Sequence, residues 1–217
     1  MEILKVENLS VKRDENFIFK NINFSLQSDE KLFITGPNGA GKTTFIETIM
    51  GFIKPETGKL FFKGKEVKTE ENLYNLRISA GYIFQNPDDQ LFSPTVEEDI
   101  AFGLLNIGKK RSEIPEIIEQ TLDILGINYL KNRLTYKLSG GEKRLVSIAS
   151  VLSMNPDCLI MDEPTIGVDE KKLKLLLRFL KETNKAILMI THDKDVIEEL
   201  KWPVLRLENG KLFNVYP

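Results

Sequence analysis

The chain has 217 residues, of which 30 are Lys or Arg and 32 are Asp or Glu, so charged side chains make up 29% of it yet nearly cancel to a net charge of −2. That balance argues against a binder held to nucleic acid by basic charge, and no nucleic-acid partner is expected. With 41% hydrophobic residues the composition is that of an ordinary globular protein, long enough for one large or two small domains, and it excludes disordered and collagen-like chains.

The longest uninterrupted apolar run, Ala186 to Ile190, is far shorter than the roughly 20 residues a membrane-spanning helix needs. Met1 to Glu7 alternate charged with apolar side chains, unlike a secretion signal, so the chain is expected to stay in the cytosol. Cys158 is the single cysteine and sits in the apolar run Cys158-Leu159-Ile160-Met161. It reads as a buried packing residue.

The first 35 residues hold short alternating segments, Leu4 to Val11, Phe17 to Leu26 and Lys31 to Thr35, separated by polar stretches such as Lys12 to Asn16. They are expected to be strands joined by turns. Gly36-Pro37-Asn38-Gly39-Ala40-Gly41-Lys42-Thr43-Thr44 follows directly, and Lys42 to Phe52 then places Phe45, Ile46, Ile49 and Met50 at the spacing of one helix face. Glycine, four residues, then Gly-Lys-Thr between strand and helix is the context of a phosphate-binding loop. Its backbone N–H groups converge on an anion at a helix N-terminus, the Lys42 ammonium reaches the β- and γ-phosphates, and the Thr43 hydroxyl ligates Mg²⁺. The loop alone does not distinguish a kinase from a GTPase or a motor.

From Asn86 to Ser153 the periodicity becomes helical, as in Ile114, Ile117, Ile118, Leu122 and Leu125, so an inserted helical subdomain is expected at about 86–153. Cys158 to Met161 and Ala186 to Ile190 flank the helical pattern Glu170 to Thr183, as buried parallel strands joined by a crossover helix would. The fold class is therefore α/β, expected as one domain over the whole chain. The strand from Cys158 ends in Asp162 and Glu163, where open α/β sheets bind ligands. Asp162 is placed to hold Mg²⁺ and Glu163 to act as general base on the water that attacks the γ-phosphate.

Leu138-Ser139-Gly140-Gly141-Glu142, upstream of Asp162, offers a hydroxyl and backbone N–H groups at a helix start, a second anion site. It resembles the signature of ATP-binding cassette (ABC) ATPases, and the order of phosphate loop, signature, acidic pair and later histidine matches that family along essentially the whole chain. The resemblance implies a P-loop core with an N-terminal antiparallel β subdomain and an inserted helical subdomain. It implies ATP and Mg²⁺ as ligands and a head-to-tail dimer in which Ser139, Gly140, Gly141 and Glu142 of one cassette cover the ATP on its partner. By the same resemblance Gln85 contacts Mg²⁺ and the attacking water, Asp169 belongs to the loop that touches the partner cassette, and His192 is the switch histidine at the γ-phosphate. The family's adenine-stacking aromatic falls on Arg13, with Phe17 the nearest aromatic alternative, and Leu145 stands where a second basic residue is common.

The stretch Phe84-Gln85-Asn86-Pro87-Asp88-Asp89-Gln90-Leu91-Phe92 and the following Pro94 to Gly103 closely resemble the energy-coupling-factor and cobalt-type importer ATPases. That narrower resemblance implies an integral membrane subunit as partner, a second cassette ATPase in a homo- or heterodimer, and a peripheral place on the cytoplasmic face of the cell membrane. The expected function is ATP hydrolysis powering uptake of a vitamin or metal ion. The alternatives are a cassette of another importer or exporter class, or one acting on DNA or ribosomes.

Overall fold

In chain order the elements are β1 (Glu2–Arg13), β2 (Asn16–Gln27), β3 (Lys31–Thr35), α1 (Lys42–Ile49), β4 (Thr57–Phe62), β5 (Lys65–Glu66), α2 (Glu70–Ser79), β6 (Ala80–Ile83) and α3 (Val96–Asn106). There follow α4 (Ile114–Ile124), α5 (Gly140–Ser153), β7 (Cys158–Asp162), α6 (Glu170–Glu182), β8 (Ala186–Ile190), α7 (Lys194–Leu200), β9 (Val204–Glu208) and β10 (Lys211–Val215). The computed structural model describes residues 1–215. The chain groups into two compact units, the first formed by Met1–Tyr82, Asp157–Asp162 and the chain from Asn184 onward, the second by Ile83–Pro156 and Glu163–Thr183.

In the first unit a four-stranded antiparallel sheet runs in the order β2-β1-β4-β5. Its inward positions are apolar: Leu4, Val6, Leu9 and Val11 from β1, and Phe19, Ile22, Phe24 and Leu26 from β2, are all buried. Both strands extend past the expected limits, because the polar stretch after Val11 continues the ladder to the pair Arg13 and Asn16. Phe45 of α1 packs edge-on against Phe19 and Phe24, with ring centroids 5.8 and 5.7 Å apart.

A second sheet of six strands has the order β10-β9-β3-β8-β7-β6. Strands β7 and β8 are buried at every position, the pattern of parallel strands covered on both faces. Their register pairs Cys158 with Ala186 and Asp162 with Ile190, while β3 pairs Ile34 with the same Ile190. The carboxyl ends of β3, β8 and β7 are thus level. Helix α2 has no counterpart in the hydrophobic periodicity, since only Leu76 is buried; its start is marked instead by Thr69, whose hydroxyl accepts from the Asn72 N–H at 3.2 Å.

The second unit is built from α3, α4, α5 and α6. Helix α5 is its core, with Leu145, Val146, Ile148 and Ala149 fully buried, so Leu145 serves packing. The expected helical insertion at about 86–153 lies inside this unit, and α6 groups with it too. Helix α3 opens on a capping box: the Thr95 hydroxyl accepts from the Glu98 N–H at 3.3 Å and the Glu98 carboxylate accepts from the Thr95 N–H at 3.1 Å. Buried Asp99 accepts from the Phe92 and Ser93 N–H groups at 3.0 and 2.9 Å, fixing the loop that leads into the helix. Among the described residues no helix is long and apolar enough to cross a membrane.

Cys158 is fully buried at the start of β7, and burial pushes its thiol up to about 12. Nucleophilic thiolate is therefore nearly absent at about pH 8. A disulfide exchange reagent should leave the native protein unlabelled and modify one thiol per chain once denaturant is added; rapid labelling of the native protein would contradict this packing.

Candidate functional site

Loop 36–44 leaves the end of β3 and enters α1. Gly36 has φ 148°, Gly39 78° and Gly41 92°, values that side chains other than hydrogen rarely tolerate. At Gly36 there is also no room: a Cβ would lie 2.1 Å from the Leu207 carbonyl oxygen. Pro37, Asn38 and Gly39 are exposed, while Ala40, Gly41, Lys42, Thr43 and Thr44 are half-buried. The Lys42 ammonium donates to the Gly36 and Pro37 carbonyls at 2.9 and 3.0 Å, which holds its charge over the loop.

The Thr43 hydroxyl donates to the Asp162 carboxylate at 2.7 Å, although the two residues are 119 positions apart. The level strand ends make this possible, since Asp162 closes β7 one strand beyond β8. Asp162 is 1% exposed, and its negative charge is felt by the Tyr82 phenol, which burial first and then Asp162 and Glu47 hold well above the usual tyrosine range. A hydroxyl and a carboxylate side by side are hard oxygen donors, the set that Mg²⁺ takes together with water and substrate phosphates. Among the described residues no group of three or more His, Cys, Asp or Glu side chains is placed to hold a metal ion.

Beside the loop lies an open cleft of about 950 Å³, lined by Pro37 to Ala40, by Glu15 to Lys20 at the start of β2, and by the β9–β10 turn. Phe17 is 40% exposed, and the ammonium groups of Lys20 and Lys12 lie 3.9 and 4.7 Å from its ring centre. Arg13 is exposed at the end of β1 and is not part of the cleft lining. His192 is exposed immediately beyond β8, at the strand end that lies between those carrying the phosphate loop and Asp162.

The remaining expected residues belong to the second unit. Glu163 is buried and has φ 49°, a left-handed conformation that costs a non-glycine residue roughly 1–2 kcal/mol. Such strain persists where surrounding structure enforces it, commonly at working sites. Gln85 is exposed, and its carbonyl accepts from Arg144, as does that of Phe84, at 2.7 Å for the latter. Arg144, and Gln90, which accepts from the Phe84 N–H and donates to α5, hold this segment in a way that sequence reasoning missed. The sequence shows an arginine one turn into α5 but nothing that pairs it with Gln85.

Ser139 is the N-cap of α5: its hydroxyl accepts from the Glu142 N–H at 3.3 Å, and the Glu142 carboxylate accepts from the Ser139 N–H at 2.9 Å. That backbone donor holds the Glu142 carboxyl below the usual range. Asp169 caps α6, accepting from the Lys172 N–H at 3.0 Å, with the Lys172 ammonium 2.7 Å away. Gly141 joins the two loops, since a Cβ there would sit 2.3 Å from the Gly167 carbonyl oxygen, whereas one on Gly140 would meet nothing within 4 Å. Gly141→Ala is therefore expected to lower stability by about 1–3 kcal/mol through overpacking against backbone, and Gly140→Ala to cost much less, as urea unfolding would measure.

A family model for ABC transporters matches residues 19–166. The chain is 43% identical over 210 residues to a putative ABC transporter ATP-binding protein of Brucella suis biovar 1, covering 97% of this chain and 87% of that protein. It is 36% identical over 217 residues to the energy-coupling factor transporter ATP-binding protein EcfA of Methanoculleus marisnigri, covering 98% and 78% respectively. Among solved structures, cbiO1 from Clostridium perfringens, described as part of the ABC transporter complex cbiONQ, superposes with a TM-score of 0.85 at 36% identity, covering 98% of this chain and 87% of that one. A phosphate loop bonded to a strand-end aspartate, a serine-capped glycine signature and this likeness along nearly the whole length together mean that the chain belongs to the ABC transporter family, as an ATP-hydrolysing cassette.

Proposed function

We propose that this cassette powers an importer of the energy-coupling-factor type, taking up a small nutrient such as a vitamin or metal ion. The observation that carries this reading is the 36% identity to an EcfA protein over 98% of the chain, which includes the segment from Phe84 to Gly103 where the sequence resemblance is narrowest. The two units act as one ABC ATPase domain of residues 1–217, on the cytoplasmic face of the membrane. Its partners are an integral membrane subunit and a second cassette, identical or related.

In the working dimer the loop N–H groups from Gly36 to Thr44 and the Lys42 ammonium hold the phosphates. Thr43 and Asp162, with Gln85, would hold Mg²⁺, which when bound would supply neutralisation of phosphate charge. Glu163 takes a proton from the attacking water, whose oxygen bonds to the γ-phosphorus as the bond to the ADP oxygen breaks. His192 contacts the γ-phosphate and distinguishes ATP from ADP. Ser139, Gly140, Gly141 and Glu142 close over the ATP of the facing cassette, and Asp169 lies along the contact. In the cleft beside the loop, Phe17 is better placed than Arg13 to stack on the adenine. ATP binding closes the dimer and hydrolysis reopens it, moving the membrane subunit.

Glu163→Gln should keep ATP binding and lower turnover by at least about 100-fold, within the range that a positioned general base contributes; near-normal hydrolysis would remove Glu163 from that role. Affinity purification of the tagged chain from detergent-solubilised native membrane is expected to bring down an integral membrane protein and a second cassette. Recovery with ribosomes or DNA and no membrane protein would overturn the transport reading and leave the ATP site intact.

A further inference from the structure

The geometry points to Arg144 as the positioning residue that fastens Gln85 to the signature helix, so that Gln85 and the Ser139-capped end of α5 shift as one body. This inference rests on the role given to Gln85 above. Arg144 lies outside the signature and is 4% exposed. A guanidinium withdrawn that far from water has to direct its donors at protein acceptors. It donates to the carbonyls of two consecutive residues, Phe84 and Gln85, directly after the end of β6.

Gln90 closes the same segment from the other side. Its side-chain oxygen accepts from the Phe84 N–H at 3.2 Å, and its side-chain nitrogen donates to the Ser147 carbonyl at 2.6 Å and the Ser150 hydroxyl at 3.1 Å. Residues 144, 147 and 150 recur every three positions and so share one face of α5. The Phe84 N–H and the Phe84 and Gln85 carbonyls are thus all tied, directly or through Gln90, to one helix. The first turn of that helix is Gly140, Gly141 and Glu142 under the Ser139 cap. A continuous 14-residue helix transmits a displacement of its first turn along its length, and these bonds pass it to the backbone of Gln85. Lysine keeps the charge but not the planar fork that fixes two donors at set spacing and direction toward these two carbonyls, so the Gln85 backbone is held less rigidly with lysine at this position.

The test uses the full chain and its steady-state hydrolysis of MgATP, read as kcat, KM and the Mg²⁺ concentration for half-maximal rate. The proteins are the wild type, Arg144→Lys, Gln90→Leu, Gln85→Ala and the two doubles containing Gln85→Ala. The single variants at 144 and 90 are expected to lower kcat about 10-fold and raise the Mg²⁺ requirement, with KM for ATP within about twofold and a near-normal unfolding midpoint. In the Gln85→Ala background each should add less than about twofold, because it acts through the residue already removed. Losses that multiply instead, or wild-type kcat in Arg144→Lys and Gln90→Leu, would overturn this proposal and leave the role of Gln85 standing. Near-normal turnover and Mg²⁺ dependence in Gln85→Ala would overturn the role of Gln85 and this proposal with it. Should Arg144→Lys fail to fold, Gln90→Leu carries the same decision, since it removes the second tie and no buried charge.

Discussion

The register of three parallel strands governs the phosphate site. Because Ile190 of β8 pairs with Ile34 on one side and Asp162 on the other, the strands end at a common level. The chain leaves one end as the phosphate loop, the middle one through His192, and the third through Asp162 and Glu163. The 2.7 Å bond from Thr43 to Asp162 is a consequence of that level edge. A slip of one residue in β7 would reverse which face Asp162 occupies, separate the two oxygens and bury a carboxylate without its partner, which is costly.

Side chains that the proposed mechanism directs at a ligand are meanwhile kept in order by local bonds. Lys42 rests on two loop carbonyls, Ser139 and Glu142 satisfy each other in a capping box, and Asp169 caps the next helix. These arrangements are ordinary helix and turn chemistry, and they fix the direction of each group through bonds made within the chain. Beyond its conformational freedom in the loop, glycine provides room at Gly36, against the Leu207 carbonyl, and at Gly141, against that of Gly167. In both places a single methyl would push apart segments that have to touch.

Much of this was legible in the sequence. The spacing from Gly36 to Thr43 specifies a phosphate loop because each residue has a local task that neighbours in the chain complete. The apolar runs before Asp162 and His192 specify buried strands because only such strands are apolar on both faces. The signature is legible only through its resemblance to the cassette family's motif, and the acidic pair through its place at the end of an apolar run. Helix α2 was not legible, because it buries a single side chain and carries no hydrophobic period, and α6 could not be grouped with the helical insertion, because packing between segments distant in the chain leaves no periodic trace.

Local chemistry is therefore what the order of residues specifies without help: an α/β chain with a phosphate cradle, an acidic strand end, a capped glycine signature and a histidine in fixed order. Which of these groups meet was settled by the folded chain. Folding set Asp162 against Thr43, put Phe17 rather than Arg13 in the cleft beside the loop, turned Glu163 into a left-handed conformation, and gave Arg144 the carbonyls of Phe84 and Gln85. Each of those outcomes depends on strand register or helix packing between residues far apart in the chain, and no window of sequence encodes such a contact.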